Sequence, residues 1–181
     1  MPNVIEQPQA SPAQPPPSDT IEAPPSGRPR RGFLRWTLRI VVAVIALFAL
    51  AQLVPYGRSH TNPPVQAEPR WDSPQTRALA QKACFDCHSN LTVWPWYSNV
   101  APISWLVQRD VDSGRSALNF SEWNKPQDGA GDAIDAIQSG SMPPWFYEIQ
   151  HPSAKLSAAD QQALMRGLAA TFRNSPPIGG G

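Results

Sequence analysis

The 181-residue sequence is short of the residues that cross-link or charge a small protein. It has only two cysteines, Cys84 and Cys87, too few and too close together to staple a secreted disulfide fold. Charged residues make up 16 % of the chain and sum to a net charge of +1, which excludes the basic footprint of an ordinary nucleic-acid binder. There is no second Cys or His pair at close spacing to complete a zinc site, because only His60 and His151 remain outside the Cys84–His88 segment. No segment alternates apolar and polar residues over a useful strand length, and no internal repeat occurs, so an all-α fold is expected.

What is present divides the chain. Prolines (22) outnumber glycines (11), and many of them crowd the first thirty residues among Gln, Ser and Ala. Residues 1–32 read as a disordered, Pro-rich tail, because they offer too little apolar surface to offset the entropy of ordering. Every residue from Ile40 to Ala51 is apolar, and from Trp36 to Val54 only Thr37, Arg39 and Gln52 interrupt the run. Residues 33–55 are therefore expected to form a transmembrane anchor, with Arg39 snorkelling and Trp36 at the interface. Five arginines, at 28, 30, 31, 35 and 39, precede the run, which places the N-terminus in the cytoplasm and the rest across the membrane. A signal peptide cut after Ala49-Leu50-Ala51 is the competing reading, and it delivers the rest of the chain to the same side.

Residues 56–70 read as a proline-stiffened linker, 71–176 as the folded unit and 177–181 as a flexible end. Ser73 before Pro74 predicts a capped helix start, continuing through Leu79, Ala80, Ala83, Cys84 and Cys87. A second helix is expected from about Pro102, with Ile103, Leu106, Val107 and Val111 on one face and Gly114 as its stop. A third is expected over 128–139. A last one opens at Ser157 with Asp160 three residues on, and carries Leu164, Leu168 and Phe172.

The chemistry concentrates in Cys84-Phe85-Asp86-Cys87-His88, the C-x-x-C-H attachment pattern of a c-type haem. Two thiols three residues apart on a helix share a side and can each add across a haem vinyl group. The adjoining His88 is placed to ligate the iron. A redox dithiol normally opens a helix after a strand, a context missing here. On the other iron face Met142 is the leading candidate, held out on a loop that Pro143 and Pro144 stiffen. His151 is its rival, an open position is the third alternative, and Met165 reads as packing. Aromatic residues such as Trp94, Tyr97, Phe120 and Tyr147 are expected to wall a pocket. Trp and Tyr polar groups, with Arg115 or Asn119, are candidate partners for haem propionates.

Taken together, these segments resemble the haem-binding domain family of exported, c-type-cytochrome-like bacterial proteins. The likeness rests on the Cys84–His88 motif with Ser89-Asn90, Trp94-Pro95-Trp96-Tyr97-Ser98, Ala101-Pro102-Ile103-Ser104-Trp105, Asp110-Val111 and Gly114-Arg115. It continues in Leu118-Asn119-Phe120-Ser121-Glu122-Trp123, Met142-Pro143-Pro144-Trp145, His151-Pro152 and Lys155-Leu156-Ser157. It covers roughly residues 71–173, and the motif order is also similar to class I cytochromes c. It implies a small cytochrome c-like helical domain with one covalent haem c on Cys84 and Cys87, ligated by His88 and Met142. The expected protein is a single-pass bacterial inner-membrane protein with a periplasmic haem domain. It would pass single electrons to redox partner proteins after loading by a haem maturation machinery, and would not be an enzyme. A haem-based gas or redox sensor, or a peroxidase-like enzyme with a labile sixth ligand, is the alternative.

Overall fold

The computed structural model describes residues 31–179, so nearly all of the proline-rich tail expected over 1–32 lies outside the described residues. Among the described residues seven helices follow one another: α1 (Arg31–Ala51), α2 (Pro74–Ala83), α3 (Phe85–His88), α4 (Ile103–Ala117), α5 (Ala133–Gln138), α6 (Trp145–Gln150) and α7 (Ala158–Asn174). Single 3-10 turns lie at Trp96–Asn99 and Pro152–Ala154. The fold is all-α: among the described residues there is no strand, only isolated bridges at Ala67–Glu122 and Pro126–Ile178.

The chain divides into two units, Met1–Ile40 and Val41–Gly181. In the first, the described side chains belong to the opening of α1 and are exposed. The stretch Gly32–Ala51 within α1 is 20 residues long with none of its hydrophobic window buried, which is long and apolar enough to cross a membrane.

In the second unit the residue that follows α1 is hooked by its polar side chain to the turn that precedes α4. Gln52 Nε2 donates to the Ala101 carbonyl (2.8 Å) and its Oε1 accepts from the Ala101 N–H (3.1 Å). Residues 56–70, expected to be a proline-stiffened linker, instead pack onto the domain, chiefly against the loop after α4. The Gln66 N–H bonds the Ser121 carbonyl (2.8 Å), and the Trp123 N–H bonds the Ala67 carbonyl (3.0 Å). Arg115 reaches back to the Thr61 carbonyl (3.0 Å) and Asn62 Oδ1 (3.0 Å). This segment is part of the domain because its own backbone groups are satisfied there. At the far end, the Ile178 carbonyl accepts from the Gln127 N–H (2.7 Å), within the stretch expected to be flexible; residues 180 and 181 lie outside the described ones.

Ser73 caps α2 by accepting from the Thr76 N–H (3.1 Å), and Ser157 caps α7 by accepting from the Asp160 N–H (3.1 Å). Leu164 and Leu168 on α7 are buried against Leu79 and Ala80 of α2, and truncating either leucine to alanine costs about 2–5 kcal/mol. A run of aromatic rings forms the floor under α3. Phe85 stacks on Phe120 (5.7 Å), Phe120 on Trp123 (5.9 Å), and Trp123 on Phe172 (5.5 Å).

Three helices differ from the expectation. The first breaks at Cys84 (φ −125°, ψ −33°) into α2 and α3 rather than running through the motif. The third is confined to 133–138. The second continues past Gly114 to Ala117. Gly114 is not a stop: a Cβ there would overlap the Cys87 carbonyl oxygen and lie 2.9 Å from its carbon, so the residue is glycine because α3 crosses there. Helix α6 was not anticipated, since Pro144 and the aromatic residues mask a pattern only six residues long.

Candidate functional site

Helices α3, α4, α5 and α7 and the loop between α5 and α6 enclose a cavity of about 480 Å³, within the range of small-molecule and cofactor sites. Cys84, Cys87, His88 and Met142 all line it, so the fold brings together the four residues singled out in the sequence. Most of the remaining wall is apolar, with Leu118, Phe120, Ile137, Leu164 and Leu168 among it.

His88 is held in one tautomer. Its Nδ1 lies 3.0 Å from both the Gly114 and the Leu118 carbonyl oxygens, which can only accept, so Nδ1 carries the proton. Nε2 therefore bears the lone pair, and it has no hydrogen-bond partner among the described residues. A histidine locked this way by backbone carbonyls is prepared to ligate a metal through Nε2. Burial, against the pull of the two carbonyls, holds its pKa below the ordinary value and keeps the ring neutral.

The two thiols lie at the break between α2 and α3 and within α3, on the cavity side. Burial pushes both up to about 12, helped for Cys84 by Cys87 and for Cys87 by Asp110 and Asp86, so both are protonated at neutral pH. Met142 enters on the loop after α5, its N–H bonded to the Ala136 carbonyl (3.0 Å), and the side chain is 41 % exposed. His151 does not line this cavity. Its ring stacks on Tyr147 at 4.2 Å, and its Nδ1 donates to the Tyr147 carbonyl (3.2 Å). His60 stacks on Trp94 (4.8 Å) and bonds Ser98, which ties the 56–70 segment to the domain.

The expected propionate partners are committed elsewhere. Arg115 serves the Ser89 carbonyl, Thr92 and the 61–62 segment, and Asn119 serves Asn90, Gln127 and Ser121. The indole N–H groups of Trp71, Trp94 and Trp123 bond Glu68, Asn62 and the Ser175 carbonyl, and no tryptophan lines the cavity. Of the aromatic residues, Phe120, Phe146 and Tyr147 do.

Two contributors were missed in the sequence. Asp86, inside the motif, accepts from the Tyr147 hydroxyl (2.6 Å) and the Val93 N–H (2.9 Å), clamping α6 onto α3. Gly114 lets the α4 backbone approach close enough to offer its carbonyl to His88.

The residues fit a haem: a neutral imidazole presented by Nε2, a thioether from a separate loop, two cavity-facing sulfurs and apolar walls. A bare-metal site fits less well, since no grouping of three His, Cys, Asp or Glu side chains suited to a metal ion occurs among the described residues. A family model described as a haem-binding domain matches residues 46–170, beginning inside α1 and so including the 56–70 segment. No curated protein and no solved structure gives a match.

Proposed function

The chain belongs to the haem-binding domain family, and from that premise we propose that it is a membrane-anchored, mono-haem c-type cytochrome that carries single electrons. Cys84 and Cys87 would hold the porphyrin, and His88 and Met142 would ligate its iron. The bound haem supplies a one-electron change between ferric and ferrous iron. The chain's own residues do the rest. The Gly114 and Leu118 carbonyls keep the proton on Nδ1 of His88, the apolar wall excludes water, and the Asp86–Tyr147 bond fixes the approach of the Met142 loop.

The observation that carries this reading is the orientation of His88 toward a cavity that both cysteines and Met142 share. A carrier rather than a catalyst or sensor is favoured because two side-chain ligands come from two separately anchored elements. The arginine bias before the apolar run of α1 supports an inner-membrane anchor with the domain on the periplasmic side, where redox partner proteins would meet it. The test is expression in a host with a c-type haem maturation system. The denatured protein should retain its colour after acid-acetone extraction, and Cys84→Ala with Cys87→Ala should release it. Extraction of all the haem from the unaltered chain would overturn covalent attachment. A reduced protein that binds carbon monoxide stoichiometrically at neutral pH would overturn the carrier role.

A further inference from the structure

A second cavity, about 640 Å³, adjoins the first, and Cys87, Asp110, Ser113, Phe146 and Tyr147 wall both. Its far wall is the stripe Ile103, Leu106 and Val107 of α4, with Val93 opposite. That stripe has the spacing of a core face, yet Ile103 is 44 % and Leu106 56 % exposed, so it serves the cavity rather than the core. Four polar groups face the same space: Tyr97 and His151, half-buried, and Arg109 and Asp110 at the rim. None of the Tyr97 hydroxyl, the His151 Nε2, the Arg109 guanidinium or the Asp110 carboxylate has a hydrogen-bond partner among the described residues. Because Nδ1 of His151 donates to the Tyr147 carbonyl, Nε2 is the ring nitrogen left to accept.

We propose that this second cavity binds the head group of a membrane-dissolved quinol. An apolar slot with a few convergent polar groups is the usual form of a small-molecule site. His151 Nε2 and the Asp110 carboxylate accept from hydroxyls, while Tyr97 and Arg109 donate to carbonyls, so the set can hold both the diol and the quinone form of one ring. The entrance indicates the source. Ile103 and Leu106 follow closely on Ala101, which Gln52 holds against the end of the proposed membrane span, and the apolar lining continues in Val93, 73 % exposed. A long-tailed amphiphile reaches such an entrance from the bilayer, whereas a water-soluble diol gains nothing from its apolar rim. The proposal takes the membrane anchor from the reading above but does not depend on covalent haem.

The test uses the full-length protein with its haem in phospholipid nanodiscs, irradiated with a decyl-tailed azidoquinone and mapped by mass spectrometry. Label is expected in peptides carrying Val93–Tyr97 and Ile103–Val107, and unlabelled decyl-benzoquinol should compete it away. Leu106→Trp, which fills the slot from a solvent-tolerant position, should cut labelling by about tenfold with an unchanged haem spectrum. Ile149→Ala, outside the lining, should leave it intact. Label spread over α1 without competition, labelling unchanged in Leu106→Trp, or equal labelling by an azido-alkyl phospholipid that the quinol fails to displace would each overturn the proposal and leave the haem reading standing.

Discussion

The Tyr147 hydroxyl donates to Oδ2 of Asp86 at 2.6 Å, joining a residue inside the C-x-x-C-H motif to the helix that follows the Met142 loop. The bond is short and goes to a carboxylate, the strong kind, and burial and Asp86 together raise the tyrosine pKa so that the proton stays on oxygen. Tyr147→Phe keeps the ring and removes the clamp. The expected cost is about 2 kcal/mol of stability, read by thermal or chemical unfolding. A further effect should appear in the spectrum: a weakened sulfur-to-iron charge-transfer band in the oxidised protein, because α6 no longer pins the loop. A stability loss without any change in that band would confine the bond to a structural role.

Where α4 crosses α3, Gly114 touches the Cys87 backbone so closely that a methyl group has no room. Neither backbone can yield without moving the carbonyl that orients His88. Gly114→Ala is therefore expected to destabilise by about 3 kcal/mol, the upper range for overpacking, and to lower the haem-loaded yield. Ser116→Ala, two residues later on α4, exposed and outside both cavities, is the control that should leave both nearly unchanged.

The carboxylate of Glu68 is gripped from two sides. Arg77 donates to it twice, at 2.7 Å each, and the Trp71 indole N–H donates at 2.8 Å, while the guanidinium lies over the Phe85 ring. The Arg77 hydrogen bond, opposed by burial, holds Glu68 below its ordinary value of 4.5. A depressed carboxylate contributes stability that is complete above the unfolded value and lost as the pH falls through the folded one. Glu68→Gln should thus cost about 1 kcal/mol at pH 7, discounted because the pair is partly exposed, and progressively less as the pH falls below 4.5 through the folded value. A difference that persists in acid would show that the side chain acts by packing alone.

How far the fold could be read from the sequence varies with the kind of signal. Caps are local, so Ser73 and Ser157 announced α2 and α7 correctly, and the four-residue steps of Leu164 and Leu168 located the buried face of α7. Gly114 misled, because a glycine that ends a helix and a glycine that admits a crossing helix look alike until the partner is known. The prolines at 63, 64 and 69 suggested a stiff spacer, yet the chain there satisfies its backbone against Ser121 and Trp123, contacts too distant in sequence to be foreseen. The motif and Met142 were legible because haem attachment demands specific atoms at a specific spacing. The carbonyls that orient His88 belong to main chain and leave no side-chain signature.

Met142 and His151 make opposite predictions as iron ligands, and their positions favour the methionine. Met142 lines the cavity of the motif, whereas His151 faces the neighbouring one, with its ring against Tyr147 and Nδ1 committed to a carbonyl. Met142→Ala should abolish the sulfur-to-iron band of the oxidised protein and admit carbon monoxide to the reduced one. It should also lower the reduction potential, since loss of the thioether removes a ligand that favours the ferrous state. His151→Ala should leave the band and carbon monoxide exclusion intact. If His151→Ala opens the iron and Met142→Ala does not, the loop after α6 must swing around Tyr147 on loading, and the Asp86–Tyr147 clamp would then have to break in the haem-bound form.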